Sequence, residues 1–205
     1  MFRLDRTPDP NTTPGPTTAS SAANAAPSPS IGLIAQLVED WQTHGRDSTR
    51  PGFQALAVHR FGNWRMRVAP KIVRAPLSVL YRILYGGVRN FYGIELPYTT
   101  RVGRRVTIEH QSGIVIHGGA EIGDDCVIHQ DVTIGNRRPD RPFDAPKVGN
   151  RVNIGAGAKV LGAVRVGDDA CIGANAVVLD HVPGGALAVG VPARIRAAGS
   201  GDETA

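Results

Sequence analysis

Residues 148–178 read VGNRVNIGAGAKVLGAVRVGDDACIGANAVV and set Val148, Ile154, Val160, Val166, Ile172 and Val178 six positions apart. Glycine often follows, as at Gly149, Gly155, Gly167 and Gly173, and a small or branched residue stands two places earlier, as at Val152, Ala158, Ala170 and Ala176. A period of six suits neither an α-helix nor a simple alternating strand. It describes a short strand and a turn, repeated. Three such units close one triangular coil, with the branched side chains stacked inside. The turns need residues that are small or that tolerate unusual backbone angles, which accounts for the Gly, Asn and Asp.

The same rhythm runs upstream through Ile122, Ile128 and Ile134, and before them through Val102, Ile108 and Ile114. It breaks twice: two extra residues stand between Ile114 and Ile122, and eight between Ile134 and Val148. The longer break contains Asn136, Arg137, Arg138, Pro139, Asp140, Arg141, Pro142, Phe143, Asp144 and Ala145. So large an excursion must leave the coil as a loop, and sites are often built on such loops.

N-terminal to the coil, the apolar spacing changes to three and four, which predicts helices. One starts with Ser30 as N-cap and carries Ile34, Leu37, Val38 and Trp41 to Gly45. A second opens at Pro51, suited to a first helical position, and runs to about Met66. A third covers Ala75 to Tyr92, with Gly86 and Gly87 expected to loosen it. The division expected is a disordered Pro/Ala/Ser/Thr-rich leader at 1–29, a small α-helical domain at 30–93, an all-β parallel β-helix domain at 94–195 and a flexible tail at 196–205.

Composition narrows the function classes. Aromatics are only 5% while glycines number 25, which suits short strands and tight turns better than a sandwich core. No apolar run reaches the length of a membrane span, and the two cysteines, Cys126 and Cys171, form no metal or disulfide pattern. A cytoplasmic location and small, core-filling cysteines are the expectation. The net charge of +5 comes from scattered arginines rather than one block, which argues against nucleic acid.

Two segments carry a family resemblance. IEHQSGIVIHGGAEIGDDCVIHQDVTIG and VGNRVNIGAGAKVLGAVRVGDDACIGANAVVLDHVPGGALAVGVPARI resemble bacterial serine acetyltransferases, within the hexapeptide-repeat acyltransferases. RPGFQALAVHRFGNW looks like the helical segment that precedes their coil. The resemblance implies a left-handed β-helix, acetyl-CoA as donor and L-serine as acceptor; no metal is expected, because His117 and His129, twelve residues apart, fall on different faces of the coil. It implies a homotrimer with sites between adjacent prisms, or a dimer of such trimers.

A serine hydroxyl is a weak nucleophile, so acetyl transfer needs a general base, and imidazole suits because its ordinary pKa is ~6.5. His110 falls where the family has its catalytic His, and Glu95 matches the carboxylate that orients it, with Glu in place of the family's Asp. By the same resemblance Glu109 helps hold substrate, Asp40 meets the serine amino group, and Gly135, Asn136, Ala156, Lys159 and Ala174 line the CoA groove. The family's Arg-His pair for the serine carboxylate is replaced by Asp144 and Ala145, so Arg138 or its neighbours Arg137 and Arg141 would supply the cation. A sugar or nucleotide-sugar hydroxyl would need no such clamp and stands as the alternative acceptor. A non-catalytic β-helix scaffold is a third reading.

Overall fold

The computed structural model describes residues 31–197. The leader expected at 1–29, Ser30 and residues 198–205 of the tail lie outside the described residues, and the first helix takes Gly32, not Ser30, as its N-cap. In chain order come α1 (Leu33–Thr43), α2 (Pro51–Met66), α3 (Lys71–Gly87) and a π-helical turn (Val88–Tyr92). The first coil follows as β1 (Ile94–Glu95), β2 (Arg101–Val102) and β3 (Thr107–Ile108), and the second as β4 (Ile114–Ile116), β5 (Glu121–Ile122) and β6 (Val127–Ile128). The third is β7 (Thr133–Gly135), β8 (Lys147–Val148) and β9 (Asn153–Ile154); the fourth is β10 (Lys159–Leu161), β11 (Arg165–Val166) and β12 (Cys171–Ile172). β13 (Val177–Val178), a bridge at Val182, β14 (Leu187–Val189) and an antiparallel β15 (Arg194–Arg196) close the end.

Every third strand shares a sheet. The three sheets run β1-β4-β7-β10-β13, β2-β5-β8-β11 and β3-β6-β9-β12-β14-β15, so the chain is a parallel β-helix. Apart from β15, the pairs are parallel and in register, for example Ile134 on Val160 and Val160 on Val178. The six-residue series is therefore the inner wall: all of its members are buried except Val102, which is partly so. Each such side chain contributes about 1.5–3 kcal/mol by leaving water.

Two expectations shift. Ile116, not Ile114, stacks on Ile134, while Ile114 stacks on Ile94. Both point inward, so the two extra residues fall earlier, in the turn 109–113 that carries His110. Cys126 is buried as expected, and burial pushes its thiol up to about 11. Cys171 instead faces outward, beside inward-facing Ile172.

The turns between the second and third sheets stack as a ladder. The Arg104, Asp124 and Asn150 N–H groups donate to Asp124, Asn150 and Asp168 side chains, each at 2.8 Å. Arg105, Asp125, Arg151 and Asp169 there adopt positive φ of 53–60°. The two arginines are not small, yet each guanidinium forks onto the aspartate one coil on, Arg105 onto Asp125 and Arg151 onto Asp169. Such bidentate contacts offset the backbone cost.

The helices share the prism's core through Ala55, Leu56 and Val88. α3 begins four residues before the expected Ala75, because Pro70 serves as its N-cap and Pro76 is accommodated one turn inside. Gly86 and Gly87 do not interrupt it; the chain widens into the π turn and stops at Gly93, whose φ is +65°. The Arg65 guanidinium lies between the Tyr81 and Tyr98 rings, 4.3 and 4.6 Å from their centroids, and donates to Ser78 Oγ at 2.7 Å. These contacts fix α3 by its inner face.

Candidate active site

The turn 109–113 leaves the third sheet and enters the first. Its backbone is held at both ends: Glu109 N–H donates to Ile128 O at 3.0 Å, and Ser112 N–H to Tyr92 O at 2.8 Å. The side chains between are left free, and His110 and Gln111 are exposed. The N-terminus of α2 closes the other side. Gly52 lies so near that a Cβ on it would sit 2.2 Å from Ile108 O, which is why this position takes glycine. Arg50, Pro51, Gly52, Glu109, His110 and Gln111 together line an open cavity of about 380 Å³. Arg50 Nη1 is 4.0 Å from Glu109 Oε2, so a cation and an anion share the cavity with the imidazole.

Buried polar contacts hold α1 and α2 in that position. The Asp40 carboxylate, 1% exposed, receives Arg60 Nε at 2.9 Å, and the same guanidinium donates to Val102 O and Gly103 O at 2.7 and 2.6 Å. Arg104 pairs with Glu39 and holds that carboxyl below its ordinary range. His44 bridges Asp40 O, at 2.6 Å from Nδ1, and the Ile108 N–H, at 3.2 Å from Nε2. Nδ1 is thus the protonated nitrogen and the ring is neutral, in keeping with burial lowering its pKa. His59 is similar: Nδ1–H donates to Pro97 O at 3.1 Å, Nε2 accepts from Asn63 at 3.0 Å, and burial, aided by the Arg60 charge, pushes it down to about 3.

The expected site residues divide into groups. His110 and Glu109 meet in the cavity. Asp40 does not: both of its oxygens face Arg60, so it is a structural ion-pair partner and cannot also receive a substrate amine. Glu95 lies outward on β1, and among the described residues no hydrogen bond or ion pair joins it to His110; its neighbour is the Tyr85 phenol, which burial foremost and the Glu95 charge second push up to about 12. Arg138 lies at another edge, between the first and second sheets. There Arg137, Arg138, Arg141, Asp144 and His181 line part of a second open cavity, of about 490 Å³. The substitute cation expected from that loop is not beside His110 within one chain; Arg50 is.

The residues expected to line a CoA groove lie on the first sheet and in the turns that lead into or out of it. Gly135 ends β7 and leads to Asn136, whose amide donates to Arg138 O at 3.0 Å. Lys159 begins β10 next to β7, its ammonium on Asp131 O, and Ala156 and Ala174 occupy equivalent turns one coil apart. Among the described residues no group of three or more His, Cys, Asp or Glu converges as a metal site would. Arg50, Gly52 and Gln111 are the lining residues that sequence reading passed over. The RPG at 50–52 was a usable signal, since a Pro at the first helical position fixes where Arg50 leaves the helix.

A family model described as "Bacterial transferase hexapeptide (six repeats)" matches residues 145–180, which lie within the stacked coils. A serine acetyltransferase of Helicobacter pylori is 42% identical over 144 residues, 70% of this chain and 80% of that protein. The chain belongs to the serine acetyltransferase family. A putative colanic acid biosynthesis acetyltransferase of Escherichia coli is 40% identical over 153 residues, 73% of this chain and 92% of the relative. The soybean serine acetyltransferase complexed with serine superposes with a TM-score of 0.69 at 31% identity, over 80% of this chain and 69% of that one. Coverage of longer relatives is lower: the chain matches 57% of the length of a Synechococcus elongatus serine acetyltransferase, at 39% identity over 145 residues.

Proposed function

We propose that this protein is an acetyl-CoA-dependent O-acetyltransferase whose acceptor is L-serine, with His110 as general base. The observation that carries the reading is that His110 shares one cavity with Arg50 and Glu109, a pair opposite in charge. An α-amino acid offers the complementary pair: its carboxylate to Arg50, its ammonium to Glu109, and its hydroxyl to the imidazole of the same cavity. Arg50 then takes the role of the family cation missing at Asp144 and Ala145. His110 removes the hydroxyl proton as the oxygen attacks the thioester carbonyl, and returns it to the departing CoA thiolate. The serine-complexed soybean relative supports the same acceptor.

The remaining assignments follow from this reading. The β-helix is left-handed, as in the hexapeptide acyltransferases, and forms one domain at 94–195 with the helical domain 30–93 packed on it. The turn 109–113 and the loop after β7 lie on different edges of one prism, so only a second copy can bring that loop, with Arg138, to His110. A homotrimer, single or paired, supplies such a neighbour. CoA lies along the first sheet by Gly135, Asn136, Ala156, Lys159 and Ala174. Glu95 approaches His110 when substrate is bound, and the enzyme works in the cytoplasm on small molecules.

A second acceptor class is favoured by one observation: the relative covered over 92% of its length is named for colanic acid biosynthesis. There the acceptor is a sugar hydroxyl, and Asp144 contacts its hydroxyls. Free-thiol release from acetyl-CoA across L-serine and a sugar panel separates the two. Turnover with serine, with KM raised at least tenfold by Arg50→Ala, supports the first reading; turnover with sugars alone rejects it.

A further inference from the structure

α3 is satisfied on one side only. Its inner face holds Tyr81, and Val88 follows in the π turn, both buried. Its outer face leaves Ile72 87%, Val79 57% and Ile83 66% exposed, with Val73, Leu80 and Leu84 beside them and Phe91 at 86% just beyond. At about 100° per residue, Ile72, Val79 and Ile83 fall within roughly 40° of one line along the helix. Lys71 and Arg82 lie within about 20° of each other on its flank. This is an unbroken apolar stripe in open water, edged by cations.

The charge around it has one sign. From Pro51 to Ile94 the chain contains no Asp or Glu, while it carries Arg60, Arg65, Arg67, Lys71, Arg74, Arg82 and Arg89. Arg60 and Arg65 are buried; Arg67, Lys71, Arg82 and Arg89 are exposed and have no ion-pair partner among the described residues. At the end of α2, Trp64 and Met66 add exposed apolar surface, Trp64 stacked on Phe61.

We propose that α3, with the end of α2, is a peripheral docking surface for an anionic phospholipid bilayer. The stripe enters the boundary between headgroups and acyl chains, and the flanking Lys71 and Arg82 stay at the phosphates. Trp64 has the amphipathic ring that favours that depth. The helix has 17 residues, and no described helix is long and apolar enough to cross a membrane, so it lies in the surface plane. A second copy fits less well: a two-fold contact would press an acid-free cationic face against itself. Nucleic acid fits less well because greasy side chains fill the middle of the face. The inference stands apart from the acceptor reading above.

The test is co-sedimentation of the full chain with vesicles of phosphatidylcholine alone and of phosphatidylcholine mixed with phosphatidylglycerol. Binding is expected to the mixed vesicles and to weaken as salt rises from about 0.1 M to about 0.5 M. Ile72→Asp with Ile83→Asp is expected to lower the bound fraction at least about tenfold. Lys71→Glu with Arg82→Glu, which leaves the stripe intact, is expected to do the same through charge. All four positions are exposed, and circular dichroism checks that the variants stay folded. No binding by the parent, equal binding to neutral vesicles, or variants that bind like the parent would each overturn the proposal. So would a parent that ignores vesicles but loses oligomeric mass on Ile72→Asp with Ile83→Asp, since the occupant is then another copy.

Discussion

Replacing Asp40 by alanine separates a structural from a substrate-binding role. In the parent, Arg60 is 5% exposed and its guanidinium is satisfied by the Asp40 carboxylate and by Val102 O and Gly103 O. Asp40→Ala removes the counter-charge and leaves a buried cation with only two carbonyls. Breaking a buried pair from one side costs about 3–5 kcal/mol. For a chain of this size each kcal/mol lowers Tm by about 2–4 °C, so a fall of about 6–20 °C is expected. Asp40→Asn keeps the shape and one acceptor and should fall less. Thermal unfolding followed by circular dichroism reads the loss, and acceptor KM is measured well below the variant's Tm. A Tm within about 2 °C of the parent, together with a tenfold rise in serine KM, would refute the reasoning and return Asp40 to the substrate.

His59 gives a pH signature. Its folded pKa of about 3 lies below the ordinary 6.5, so the unfolded chain takes the proton first. The stability it contributes is whole above pH 6.5 and is lost as pH falls towards 3, with about 2 kcal/mol gone by pH 5. His44 is shifted in the same direction. Urea unfolding at pH 7.5 and pH 5 should show His59→Gln with a pH dependence smaller by about that amount; an unchanged dependence contradicts it. Gly52→Ala puts a methyl against Ile108 O and forces α2 off the coil. It should cost about 1–3 kcal/mol and lower kcat/KM at least tenfold, and a neutral variant would show that this contact does not shape the cavity.

The coil was readable from sequence because stacking imposes its own period: a residue that must sit on its counterpart one turn below leaves a mark every six positions. Val148 to Val178 obey that rule without exception. It misleads where two neighbouring inward positions are both isoleucine, as at Ile114 and Ile116, and there the insertion was placed after the strand instead of before it. Pro76 hid the start of α3, because a proline reads as a first-turn residue and nothing local shows that Pro70 already holds the cap. His110 and Glu109 were singled out through the family resemblance of the segment they share, and the structure puts both in one cavity. Arg50 was not, since its place depends on how α2 docks over the coil through Gly52. The ion pair of Asp40 was hidden for a related reason: its partner Arg60 is 20 residues away, on another helix.

Rates of thiol release from acetyl-CoA for the parent and for His110→Ala, with saturating L-serine and unchanged Tm, probe the imidazole itself. Loss of the base should reduce kcat by at least about 10²-fold. A variant turning over within a few-fold of the parent would leave the cavity beside α2 without its catalyst.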